Sequence, residues 1–161
     1  MREFLTWLEA SGLGQAMRDA GVWSYGVANL IHILGVATLF GSILVLDLRL
    51  LGLWMRAPLA AIAAPTVPLA AAGFTIAALS GACLISTNAS EYIGNPFLLI
   101  KFPAILTGLL NAIALSSVSA WRERRAREPR PDERRRLAVF GGVSLASWLT
   151  ALSAGRLIGY W

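Results

Sequence analysis

Apolar residues run through this chain in long blocks, not at the period of a half-buried strand or a surface helix. Four blocks carry almost no charge: residues 27–54, 67–86, 96–120 and 137–161. A bilayer core about 30 Å thick is crossed by roughly 20 apolar residues in a helix, and each block reaches that length. In lipid the backbone must satisfy its own hydrogen bonds, so blocks of this kind form helices. The pattern therefore predicts four transmembrane helices. The first is longer than the hydrocarbon is thick, so it tilts or protrudes. Pro65 and Pro68 suit the start of the second, and Pro103 predicts a kink in the third. Residues 3–19 read differently. Phe4, Leu5, Leu8, Leu13 and Met17 are interleaved with Glu3, Glu9, Arg18 and Asp19, and Trp7 is an aromatic suited to headgroup level. This predicts a short amphipathic helix lying on the membrane, weakened in its middle by Gly12 and Gly14. The expected fold is an all-α membrane protein. It is an up-down bundle of four transmembrane helices preceded by the interfacial helix, one integral domain over residues 1–161.

Composition agrees. Charged residues make up 14% of the chain against about a quarter in a soluble domain, and no stretch is left over for a separate soluble domain. Residues 1–20 lack a basic start followed by an apolar core, so no cleavable signal peptide is expected. The single Cys83 forms no internal disulfide and is read as a small core residue. The net charge of +5 is not spread as a nucleic-acid surface would require, because eight of the 14 basic residues lie between Trp121 and Arg136. No nucleic-acid partner is expected. The basic loop is instead a topology signal. With Arg49 and Arg56 at the join of spans one and two, it marks the cytoplasmic side. The Thr87–Asn95 loop holds Glu91 and no basic residue, so it faces outward with both termini. Small residues gather in spans two and four, among them Gly73, Ser80, Gly81, Gly155 and Gly159. Gly155 and Gly159 have the spacing that allows close helix contact.

Candidate chemistry rests on few side chains. His32 is the one histidine, and it sits in an apolar stretch where lipid offers no hydrogen-bond partner. Imidazole binds iron or copper and takes up a proton near neutral pH. The topology brings Lys101 and Arg156 to the same outer level, with Asn29 and Tyr160 one turn away from His32 and Arg156. Two cations beside one histidine, with no acid at that depth, call for an anionic partner. Heme b fits, with His32 on the iron and the propionates on Lys101 and Arg156. A quinone also fits, hydrogen-bonded by His32 and Tyr160, whereas one histidine makes a poor copper set. The plain alternatives are cations that snorkel to the headgroups and an aromatic belt of Tyr160 and Trp161. Toward the cytoplasm, Asp47 and Arg49 are read as members of structural ion pairs that pin the helix end, with a proton-path role as the alternative. Two residues apart they do not face each other, so Asp47 is expected to reach Arg56 or a loop arginine. Asn111 is expected to donate a hydrogen bond between helices. There is no phosphate-binding glycine loop, nucleophile elbow, paired histidine or Cys-x-x-Cys, so hydrolytic chemistry has no support.

The run His32-x-x-Gly35, Gly41 and Asp47-Leu-Arg-Leu-Leu-Gly52, with Asn95-Pro-Phe-x-x-x-Lys101 and Gly155-Arg156-Leu-Ile-Gly-Tyr160, resembles an uncharacterised bacterial family of small four-helix membrane proteins. More distantly, the layout is similar to the copper resistance protein D superfamily and to the oxygen-independent protoporphyrinogen oxidases, which bind heme b. His32, Gly41, Arg49-Leu50 and Lys101 match that outline. The chain departs from it in having no second histidine and in reading Asp-Leu-Arg-Leu where the outline has Pro-Arg-Leu. The resemblance implies heme binding through His32 in a bacterial inner membrane. The expected function is a heme b-binding protein with an electron-transfer or redox role, a membrane oxidoreductase component. A second axial ligand would come from water, a methionine or another subunit of a homodimer or larger redox complex. The alternatives are a non-catalytic structural or assembly subunit and a small metal-handling or transport protein.

Overall fold

The computed structural model describes residues 2–160, the Val22 side chain excepted. Among the described residues every regular element is a helix. The N-terminal stretch is two helices, α1 (Arg2–Ala10) and α2 (Gly12–Asp19), where one was expected. Ser11 makes the break. Its backbone is extended, and its hydroxyl accepts the Gly14 N–H at 3.3 Å, which starts α2 afresh. Gly21, with φ +77°, then turns the chain into α3.

The long helices are α3 (Gly21–Leu50), α4 (Leu59–Thr87), α5 (Pro96–Ser117) and, after the single turn α6 (Ser119–Arg122), α7 (Pro131–Leu157). Four segments are long and apolar enough to cross a membrane: Trp23–Leu50, Leu59–Thr87, Pro96–Ser117 and Pro131–Tyr160. Trp161, which closed the expected fourth span, lies outside the described residues. Three helix starts precede the expected ones, and the first helix stops at Leu50, short of residue 54. The first helix begins at Gly21, ahead of residue 27. The second begins at Leu59, so Pro65 and Pro68 lie inside it instead of opening it. The carbonyls of Ala61 and Ala64 lose their usual donors there, a loss that spanning helices tolerate. The fourth begins at Pro131, well ahead of residue 137. Proline suits the first helical position, and the Glu133 carboxylate accepts the Arg130 N–H at 2.8 Å. The first span ends in a Schellman turn. Leu53 N–H reaches Leu48 O at 2.9 Å and Gly52 N–H reaches Arg49 O at 3.2 Å, with Gly52 at φ +110°.

The chain divides into two compact units, each described by itself. The first comprises Met1–Leu39 and Ala71–Asn95. In it, backbones of α3 and α4 meet without intervening side chains. A Cβ placed on Gly73 would lie 2.5 Å from Leu39 N, and one on Gly35 would lie 2.7 Å from Ala77 N. The short N-terminal helices are tied to the end of α4 and the 3₁₀ turn Ala89–Tyr92. Glu9 Oε2 accepts Ser90 N–H at 2.6 Å, and Arg18 donates to Thr87 O at 3.1 Å and to Glu9 O at 2.9 Å. Hydrogen bonding from Ser90, followed by the charge of Arg18, holds the Glu9 carboxyl below its ordinary value. A depressed value means this tie is fully present above the ordinary glutamate value of about 4.3 and is lost as the pH falls through the lower folded value. The Ser90 amide resonance is expected to move upfield over that acid window, and Glu9→Gln is expected to abolish the movement. An amide shift indifferent to Glu9→Gln would contradict the tie.

The second unit comprises Phe40–Ala70 and Pro96–Trp161. Its core gathers Leu50, Leu59, Ala63, Leu115, Trp121 and Leu137. Along α5 and α7, Gly108 makes room for the Trp148 indole, since a Cβ there would come within 2.9 Å of the ring. Asn111 Nδ2 donates to Phe140 O at 3.0 Å, the interhelical bond its mid-span position predicted. The basic loop is braced internally. Arg127 bonds Glu133 through two nitrogens at 2.7 Å and Glu123 at 2.8 Å.

Candidate functional site

His32 lies nine residues beyond Trp23, the first residue of its candidate span, which is about 14 Å along a helix rising roughly 1.5 Å per residue. It is half-buried in the first unit. Nδ1 stands 2.9 Å from Ala77 O and 3.2 Å from Ser80 Oγ. A carbonyl oxygen can only accept, so Nδ1 carries the proton and Nε2 carries the ring's lone pair in the neutral form. The Ser80 hydroxyl is itself committed as a donor, to Ile76 O at 2.6 Å. Space for the ring comes from Gly81, where a Cβ would lie 3.0 Å from His32 Cε1. The three positions that shape the histidine are therefore Ala77, Ser80 and Gly81 on one face of α4. Ser80 and Gly81 stand out in the sequence as small residues, but nothing in their spacing names an imidazole as what they receive. Ala77 contributes only a backbone oxygen, which side-chain pattern does not display. Asn29, one turn from His32, is exposed.

In the second unit Lys101 and Arg156 are anchored differently. The Lys101 side chain runs along the notch left by Gly155, with Nζ 3.4 Å and Cε 3.5 Å from where a Cβ would sit. Gly155 thus admits a lysine rather than a second backbone, and Gly159 meets nothing within 4 Å. The expected close helix contact through this pair of glycines is replaced by a seat for a cation. Arg156 lies over the Tyr160 ring, 4.7 Å from its centroid, and hydrogen-bonds the Tyr160 hydroxyl. Both are exposed. No ion pair among the described residues includes Lys101 or Arg156.

At the other end of α3, Arg49 is almost enclosed, its side chain 5% exposed, and its carboxylate partner is Glu128 at 3.1 Å. Arg49 also donates to Ala57 O at 3.0 Å and to the Met55 sulfur at 3.2 Å. Glu128 Oε1 accepts Leu59 N–H at 2.8 Å, so one carboxylate serves both the guanidinium and the first turn of α4. Asp47 does not take the expected part in this pairing. It is buried beside Ser144 and Gly141 of α7, and its Oδ2 has no hydrogen-bond partner among the described residues. The loop supplies an acid to Arg49, and no ion pair among the described residues includes Asp47.

Among the described residues no group of three or more histidine, cysteine, aspartate or glutamate side chains could hold a metal ion. In the short turn beyond α4, burial, reinforced by the neighbouring Tyr25, pushes the Tyr92 phenol above its ordinary value. Comparison with protein-family models, curated proteins and solved structures found no match for the chain.

Proposed function

We propose that this multi-pass membrane protein binds b-type heme with His32 as an axial ligand and serves an electron-transfer or redox role. The observation that carries the reading is the bond from Nδ1–H of His32 to Ala77 O. A ligating histidine characteristically donates its other ring nitrogen to a carbonyl, which fixes the tautomer and aims the lone pair of Nε2. His32 has that arrangement, in an apolar helix, with a glycine beside the ring. These residues fit one axial position. Heme iron, when bound, supplies one-electron redox chemistry. The chain's part is to hold the Nδ1 proton on Ala77 O and so fix the orientation of the ring. Lys101 and Arg156, in the second unit, are proposed as carboxylate-binding cations. A quinone hydrogen-bonded by His32 is the neighbouring reading.

The proposed membrane placement is an up-down bundle in a bacterial inner membrane. The loop Trp121–Arg136 would lie on the cytoplasmic side, both termini on the outer side, and α1 and α2 in the interface. Supporting it are the distribution of arginines and the exposed Phe4 and Trp7 of α1. The resemblance to heme-binding four-helix proteins supports the same reading. The test is the spectrum of protein purified from heme-sufficient cells, with iron analysis. A Soret band and about one iron per chain are expected, both lost in His32→Ala. Colourless, iron-free protein would refute the reading.

A second reading is favoured by the same bond. His32 ties α3 to α4 beside the Gly35 and Gly73 backbone contact, which suits a structural or assembly subunit of a membrane complex. Under that reading the purified protein is colourless and carries a stoichiometric partner chain.

A further inference from the structure

The turn after α3 and the start of α7 enclose a groove of about 290 Å³, near the lower end of small-ligand pockets at roughly 300 Å³. Its lining includes Arg49, Leu51, Met55, Leu137, Arg134 and Arg135. The lining thus combines apolar side chains with arginines. Leu51 and Met55 are 41% and 39% exposed, open to whatever fills the groove. The arginines are not equivalent. Arg49 is spent on Glu128, Ala57 O and the Met55 sulfur. Arg134 is steadied by its Nε, which donates to Pro129 O at 2.9 Å, and this leaves its terminal nitrogens to point elsewhere. No ion pair among the described residues includes Arg134 or Arg135. Three of the loop's four acids are engaged, Glu128 with Arg49 and Glu123 and Glu133 with Arg127; the fourth, Asp132, is exposed in the first turn of α7 and forms no ion pair with Arg134 or Arg135 among the described residues. The groove thus lies at the end of one candidate spanning helix and the beginning of another, which the proposed membrane placement puts at headgroup level.

We propose that this groove binds an anionic phospholipid, its phosphate on Arg134 and Arg135 and the first part of an acyl chain along Leu51, Met55 and Leu137. Charge complementarity selects the headgroup, since basic residues at the membrane surface favour anionic lipid by about fivefold each. The apolar lining selects a lipid over a free phosphate. Nothing in this depends on heme.

The experiment is native mass spectrometry of the full chain released from nanodiscs of mixed phosphatidylglycerol and phosphatidylcholine. Wild type is expected to retain about one phosphatidylglycerol and to exclude phosphatidylcholine. Arg134→Gln/Arg135→Gln is expected to lower that retention tenfold or more. Arg122→Gln/Arg136→Gln removes the same charge from loop positions outside the groove and is expected to leave it unchanged. Equal loss in both variants would show bulk loop charge at work and overturn the site. Retention of both lipids alike, or displacement of the lipid by millimolar inorganic phosphate, would overturn it as well. Circular dichroism of each variant, unchanged from wild type, keeps loss of lipid distinct from loss of fold.

Discussion

Glu128→Ala is expected to destabilise the protein by about 3 kcal/mol, the low end of the cost of removing one partner from a buried ion pair. The reason lies with Arg49 more than with the pair. Its side chain is 5% exposed, and Glu128 is its one carboxylate among the described residues. Without it a guanidinium is left in a poorly solvated site it cannot leave. The same substitution strips the acceptor from Leu59 N–H, one of the donors that a helix start must place. Glu128 is itself 41% exposed, so water partly replaces it, which keeps the cost from reaching the roughly 5 kcal/mol seen for fully enclosed pairs. Glu128→Gln keeps one carbonyl acceptor and is expected to cost about half as much. Arg49→Met combined with Glu128→Ala removes charge and partner together and is expected to cost less than the sum of the two single changes. Unfolding in mixed micelles, followed by circular dichroism, gives all four values. A loss below about 0.5 kcal/mol for Glu128→Ala, the value of an exposed pair, would contradict this assignment.

Gly73→Ala is expected to cost about 2–3 kcal/mol, although alanine is the better helix former. The added methyl would stand 2.5 Å from Leu39 N, 2.8 Å from Gly35 O and 2.9 Å from Leu39 Cα. All three are backbone atoms, so no rotamer change relieves the clash, and α3 and α4 must separate within their unit. Separation also pulls Ala77 O away from His32 Nδ1, four residues further along the same face. The chain provides its own control. Gly41 sits mid-helix with nothing within 4 Å of the corresponding position, so Gly41→Ala is expected to be neutral or to stabilise by up to about 1 kcal/mol. Parallel unfolding curves decide the matter. Equal effects at Gly41 and Gly73 would mean that backbone contact does not govern this packing.

The number of long apolar helices was legible because crossing a bilayer demands apolar length, and composition displays length directly. Their beginnings were not. Polar residues continue a helix beyond its apolar block, as Pro131 to Arg136 do, and Leu59 to Thr66, though apolar, reads as lying ahead of the second helix because Pro65 and Pro68 suggest a start. His32 was legible as a residue of consequence, since ionisable groups are rare in apolar helices. Its partner was not, because a backbone oxygen leaves no mark in a side-chain pattern. The exchange of Asp47 for Glu128 has a similar cause. Spacing shows which groups share a helix face but not which loop acid folds back onto an arginine. Gly155 carried a real signal, small size, but size alone does not say whether a backbone or a lysine fills the space.

Ligation of heme iron by Nε2 of His32, the central proposal, is tested most directly by a reduced-minus-oxidised spectrum of His32→Gly with and without added imidazole. The b-type bands of the wild type are expected to vanish in His32→Gly and to return when free imidazole occupies the vacated position. Bands that persist unchanged in His32→Gly, or a wild-type protein that shows none, would contradict it.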